Sequence, residues 1–277
     1  MIAKGIAQMG IVKKALEDGI IAICMTSSNG YVVEELTRTE LKEKNRYCCG
    51  FISAKGLCMV PRTERYRQVI IVRGVVKHFE FPREDIVTSG YIKQMDKDDV
   101  IIKSGNAMDP QRRVGVLCGC VNGGEMGTLL PYILGNGINL VVPTTLNKTI
   151  PIPLDKAIAE LGVSKISVDK CHGMAAGMLP LPGEVVTEIE ALKALTEAEA
   201  IPIAMSGVGS GEGTVTILIQ GSDLTVEKAW QLIQSVKGEP GLAEIRGECE
   251  RCHVGAKETK EKYGITCSTT RIFKSRN

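Results

Sequence analysis

The chain has 277 residues, 34 lysines and arginines against 32 aspartates and glutamates, and a formal net charge of +2. That balance supplies no global field to attract nucleic acid or an anionic membrane, so any basic site has to be local. The length is enough for one large domain and a smaller one. No apolar run approaches the ~20 residues of a membrane-spanning helix, and "MIAKGIAQMGIVKK" lacks a signal-peptide core, so a cytoplasmic protein is expected.

Residues 3 to 17 read as a helix ended by Gly19, because Ile6, Met9, Val12 and Leu16 recur near helical spacing. "IIAICM" is then a strand buried on both faces. It runs into Thr26, Ser27, Ser28 and Asn29, and a second helix carries Val32, Val33 and Leu36. "GFISAKGLCMV" is a hairpin pattern, "VIIVRG" a strand, and residues 83 to 95 a helix. "DVIIKS", the loop "GNAMDPQRR" and the strand "VGVLCGC" follow, and a Gly-Gly turn leads to a helix over 125 to 134 and the strand "INLVVP".

Continuously apolar strands that alternate with helices belong in a parallel sheet covered on both faces. The expectation is therefore an α/β fold with an open, mainly parallel sheet and helices on both faces over residues 1 to 180. Residues 181 to 240 read as a small α+β unit, with helices over 184 to 199 and 225 to 236 around strands 201 to 206 and 214 to 220. The apolar stripe of its second helix includes Val226, Ala229, Trp230 and Ile233. Residues 241 to 277 form a hydrophilic, Cys-containing tail. Helix N-termini beyond the carboxyl ends of parallel strands present free N–H groups, and this is where ligands bind in open sheets. Thr26, Ser27, Ser28 and Asn29 occupy such a place, where they either grip an anion or simply cap the helix. The loops around Asn106, Gly123, Gly124 and Lys148 each follow a strand and converge on the same rim.

With these motifs in place, the chain resembles the superfamily of ribose-5-phosphate isomerase, glucosamine-6-phosphate deaminase and the CoA transferases, most closely the isomerase branch. "IIAICMTSSNGYVVEEL" is similar to the strand and Gly-Thr-Gly-Ser-Thr phosphate loop of the isomerase, "DVIIKSGNAMDP" to its Asp-rich segment, and "GGEMGTLL" to its Gly-rich turn. The resemblance runs over residues 1 to about 162. It implies an anion grip by Thr26, Ser28, Asn29 and Lys148, with Lys4 adding a charge. The isomerase's paired aspartates fall on Lys103 and Asn106, which cannot replace two carboxylates as bases. Asp109 remains as a base or a turn residue before Pro110. The CoA-transferase branch implies Glu125 as a nucleophile, and the plain alternative is an acid placed favourably at a helix N-terminus.

Ten cysteines without a secretory signal point to thiols or a metal site rather than a disulfide framework. Cys249, Cys252 and Cys267, in C-x2-C-x14-C spacing, suggest zinc or an iron–sulfur cluster, with free thiols as the alternative. "SGVGSGEGT" joins two strands and opens no helix, so it lacks dinucleotide geometry. Two functions are open. One is an enzyme acting on a small anionic metabolite, with chemistry at Lys103, Asp109 and Glu125. The other is a sensor or regulatory protein with a metal- or redox-responsive tail. A homo-oligomer is expected, with no nucleic-acid or membrane partner.

Overall fold

The computed structural model describes residues 1–53, 56–61, 64–79, 84–120, 122–166, 174–239, 241–243 and 245. In chain order it runs α1 (Ile2–Gln8), α2 (Gly10–Asp18), β1 (Ile20–Ile23), α3 (Ser27–Thr37), β2 (Gly50–Ser53), β3 (Gly56–Met59), β4 (Gln68–Val72), β5 (Val75–Phe79), β6 (Val100–Ile102), β7 (Ala107–Met108) and β8 (Val114–Cys118). The order continues with α4 (Gly124–Asn136), β9 (Asn139–Pro143), α5 (Leu154–Glu160), β10 (Gly177–Leu181), β11 (Glu184–Val186), α6 (Glu188–Thr196), β12 (Glu199–Met205), β13 (Val215–Gln220) and α7 (Asp223–Val236). The protein has an α/β fold. No helix among the described residues is long and apolar enough to cross a membrane.

Its main sheet has six strands in the order β11-β9-β6-β1-β4-β5, with β11, β9, β6 and β1 parallel, β4 antiparallel to β1, and β5 antiparallel to β4. Side chains alternate between two buried clusters, as the period of two along a strand requires. Ile20, Ala22 and Cys24 join Met126, Leu129 and Ile133 of α4, while Ile21 and Ile23 join residues of α1, α2 and α3. The central strands β1, β6 and β9 are therefore buried on both faces, which explains why they read as unbroken apolar runs.

The structure departs from the sequence reading at several places. Met9 is extended (φ −61°, ψ 132°) and divides the first expected helix into α1 and α2. "VIIVRG" forms a strand, but it runs antiparallel to β1, and Arg73 and Gly74 (φ 48° and 76°) then make a two-residue turn that reverses the chain into β5. No α-helix covers residues 84 to 95; a single 3-10 turn at Tyr91–Lys93 stands there instead. "VGVLCGC" pairs in a separate three-stranded sheet, β10-β8-β7, rather than in the main sheet. The acidic segment 184 to 199 starts as β11, the outermost parallel strand, before Thr187 caps α6 through a complete capping box with Glu190.

The hairpin β12–β13 and α7 form as expected, except that Trp230 is 57% exposed. One residue on from the fully buried Ala229, it is turned about 100° away from the face that packs on α6 and β13.

Tyr47 ties the main sheet together where the β1–β4 ladder ends. Its buried hydroxyl donates to the Ile23 carbonyl at 2.7 Å and accepts from the Val69 N–H at 3.0 Å. Tyr47→Phe leaves both backbone groups without a partner, which costs about 1–3 kcal/mol. The urea midpoint should fall accordingly with the slope unchanged, and an unaltered midpoint would contradict the assignment.

Candidate functional site

The register of the central strands builds the site. Ile23 pairs with Ile102 on one side and with Val69 on the other, so one residue further Cys24 stands between Lys103 and Gln68. By alternation all three side chains belong to the face covered by α4. The first turn of α4 then brings Glu125 over this row. Lys103 Nζ donates to Glu125 Oε2 at 2.8 Å, Gln68 Nε2 donates to Oε1 at 2.7 Å, and the Cys24 thiol is also hydrogen-bonded to the carboxylate.

The local chain explains why Glu125 arrives there. Gly123 takes a left-handed conformation (φ 76°) as the helix N-cap, which glycine adopts without strain. Gly127 lies so close to the Asn122 carbonyl that a Cβ would approach it to 1.9 Å, so the turn and the helix close tightly on each other.

The charges are buried: the Lys103 and Glu125 side chains are 9% and 13% exposed. Burial acts to lower the Lys103 pKa, but attraction by the Glu125 carboxylate outweighs it and the ammonium ends above its ordinary value. Burial first, then the Glu125 charge, push the Cys24 thiol well up. Cys24 is therefore a protonated donor at neutral pH rather than a thiolate.

A second lysine lies at the neighbouring strand ends. Lys148 Nζ donates to the Gly105 carbonyl at 2.8 Å and reaches Ser104 Oγ at 3.4 Å. Its side chain is partly exposed, yet protein atoms crowd the ammonium. This loss of hydration lowers its pKa to about 8, against a smaller opposing pull from Glu188.

The polar loop after β1 does two jobs. Thr26 is the N-cap of α3, its hydroxyl accepting from the Asn29 N–H at 3.3 Å. Asn29 is fully buried and its Nδ2 donates to the carbonyls of Cys24 and Ile102 at 2.8 and 2.9 Å, clamping β1 to β6. Ser27 and Ser28 are half-buried in the first turn of α3. Three buried polar atoms at this end of the sheet have no partner among the described residues: Asn29 Oδ1, Gln68 Oε1 and Thr144 Oγ1.

Other residues singled out by the sequence lie elsewhere or are engaged structurally. Asp109 is 1% exposed, and its oxygens accept from the Leu154 and Arg113 N–H groups and from the Arg113 guanidinium. Burial works to raise its pKa, but these bonds together hold it below the usual value, and the carboxylate fastens a turn. Asn106 Oδ1 accepts from the Leu117 N–H at 2.9 Å. Lys4 pairs with Glu35 at 3.5 Å on the surface of α1. Cys249, Cys252 and Cys267 lie outside the described residues. Among the described residues no three His, Cys, Asp or Glu side chains are grouped as a metal ion requires.

Two cavities flank this architecture. One of about 250 Å³ abuts the start of α4 and is lined by Cys118, Cys120, Gly123, Lys165, Met178 and Leu179 among others. The larger, about 600 Å³, lies at the opposite end of β1, where Lys14, Arg73, Tyr91 and Asp98 surround it. Neither is lined by Thr26 or Lys148. Gln68, Cys24 and Ser104 were not singled out as site residues from sequence. Cys24 and Gln68 flank apolar strands and acquire a role only once the register is known.

No family model, no curated protein and no solved structure matches the chain.

The low Lys148 pKa has a definite consequence for stability. Below about pH 8 this lysine is charged in both folded and unfolded chains and its burial penalty is fully present. Between about 8 and the ordinary 10.5 only the unfolded chain keeps the proton, so stability gains at most about 1.4 kcal/mol per pH unit from this group. Lys148→Met should therefore have its greatest stability advantage over wild type below pH 8, shrinking as the pH rises to 10.5. Denaturant melts across that range check this, and a difference independent of pH would contradict it.

Proposed function

We propose that the carboxyl ends of the parallel strands bind a small phosphorylated or carboxylated metabolite and that Glu125 carries out chemistry on it. The observation that carries this reading is the placement of a buried Lys103–Glu125 pair beside Cys24 and Gln68 at the end of the sheet. Buried charged and polar groups gathered at one point are costly to fold and are a feature of functional sites.

In this reading the anion rests on the free N–H groups and hydroxyls of Ser27 and Ser28, with Lys148 supplying positive charge below about pH 8. The unpartnered acceptors Gln68 Oε1 and Asn29 Oδ1 suit a ligand bearing hydroxyl or amide donors. Glu125 then acts as a nucleophile toward an acyl carbon or as a proton acceptor, and Lys103 and Gln68 hold the carboxylate in place. The resemblance to the isomerase and CoA-transferase superfamily supports the anion site and the role of Glu125, and it also motivates a homo-oligomeric assembly; the short apolar runs motivate a cytoplasmic location.

A second reading is a metabolite-binding regulatory protein without turnover. It is favoured by one observation: the Glu125 carboxylate is engaged by three donors, Lys103, Gln68 and Cys24, which leaves it little freedom to react.

Melting curves with inorganic phosphate, sugar phosphates and CoA thioesters test the binding claim. At a hundredfold excess over Kd a ligand stabilises the fold by about 2.7 kcal/mol, which raises Tm by about 5 °C or more in a chain of this size. With a ligand found, Glu125→Gln should retain binding and lower turnover by about a hundredfold or more. A Tm that none of these compounds moves would remove the basis for the site. Binding with no turnover in wild type would select the regulatory reading.

A further inference from the structure

A pair of thiols beside the start of α4 has no part in the proposed site. Cys118 ends β8 and Cys120 follows two residues on, so the two side chains leave the same side of an extended chain. Both line the cavity of about 250 Å³, and their sulfurs lie close enough to influence each other electrostatically. Gly119 separates them, and a Cβ there would come within 2.4 Å of Met174 Sδ, so the link between the two cysteines carries no side chain. The β8–β10 register ends at Cys118 and Cys120 makes an isolated bridge beyond it, so Gly119 is the one position between the two cysteines that is not paired. Exposed Lys165, whose ammonium donates to the Ala159 carbonyl, lines the same cavity, and the Lys103 charge acts on the Cys118 thiol.

We propose that Cys118 and Cys120 form a dithiol site that exchanges with small anionic disulfides of the glutathione class. In the first step the Cys120 thiolate attacks one sulfur of glutathione disulfide, forming a mixed disulfide and releasing one glutathione thiolate, which takes a proton from solvent. In the second step Cys118 loses its proton and attacks the Cys120 sulfur, closing the Cys118–Cys120 bond and releasing the second glutathione. Two protein thiols are oxidised and one disulfide is reduced, so electrons and atoms balance.

Cys118 is assigned the second step because burial pushes its thiol up to about 11. Its thiolate is scarce at neutral pH but strongly nucleophilic once formed, and the mixed disulfide holds its target next to it. The two sulfurs can be bridged because residues two apart in an extended chain lie near the upper end of the usual Cα separation for a disulfide, ~6.8 Å, and a bend at Gly119 shortens it. The consequence reaches α4. A Cβ on Gly124 would stand 3.7 Å from Cys120 Sγ, so this sulfur packs on the residue next to Glu125, and closing the bond moves the support of that helix end.

The test uses the full reduced chain, equilibrated in glutathione buffers of increasing oxidised fraction, then alkylated in the folded state and mapped by peptide mass. In excess glutathione disulfide more than half of the Cys118–Cys120 peptide should resist alkylation and have lost two hydrogens, and reducing buffer should reverse this. Cys118→Ser should instead accumulate glutathione on Cys120, because the second step is blocked. Alkylation of both thiols at every buffer ratio overturns the proposal, as does pairing of Cys118 or Cys120 with a different cysteine. If circular dichroism shows that Cys118→Ser does not fold, Cys120→Ser provides the second arm: it should show neither the linked peptide nor glutathione at Cys118, and stable glutathione there would overturn the assigned order.

Discussion

The salt bridge between Lys103 and Glu125 is the constraint around which the site is organised. It joins the end of a central strand to the first turn of the helix that covers that strand, and both side chains are about nine-tenths buried. Two charges removed from water are a poor source of stability compared with apolar side chains of the same volume. What the pair supplies is position: one carboxylate held over three adjacent strands, with Gln68 and Cys24 completing its bonds. Through Glu125 the first turn of α4, which adjoins the thiol cavity, is tied to the ends of the central strands.

The two lysines at the strand ends have opposite electrostatic characters, and the cause is whether a carboxylate touches them. Lys103 has Glu125 in direct contact and its charge is reinforced. Among the described residues Lys148 reaches a carbonyl and a hydroxyl, with Glu188 acting at longer range, so loss of hydration prevails and its pKa falls. One lysine is thus a permanent cation within the fold, while the other loses its charge in mildly alkaline solution.

The fold was largely legible in the sequence where burial leaves a periodic trace. The β1, β6 and β9 strands stand out as β-branched runs, α4 lies between glycines that can take positive φ, and the β12–β13 hairpin shows alternation. Strand direction left no such trace: nothing in "VIIVRG" tells an antiparallel strand from a parallel one, and the direction of β4 shows only in its pairing with β1. Short segments were misread when a local signal lost to tertiary pairing, as with the acidic run whose first residues, Glu184–Val186, are drawn into the sheet beside β9.

Of the candidate site, Lys148 could be singled out because it stands just past a predicted strand, and Lys103 and Glu125 through the superfamily resemblance. Their grouping could not, since it depends on the register that sets Cys24 between Lys103 and Gln68. Asp109 shows the converse. Its neighbour Pro110 already indicated a turn, and the structure shows the carboxylate bound to the backbone and guanidinium of Arg113. Direct coupling between Lys103 and Glu125 is measured by a double-mutant cycle. Unfolding free energies of wild type, Lys103→Met, Glu125→Gln and the double variant should show each single change costing about 3–5 kcal/mol and the pair costing much less than their sum. Strictly additive effects would mean that the two side chains do not act as a unit, and the account of the site would fail with them.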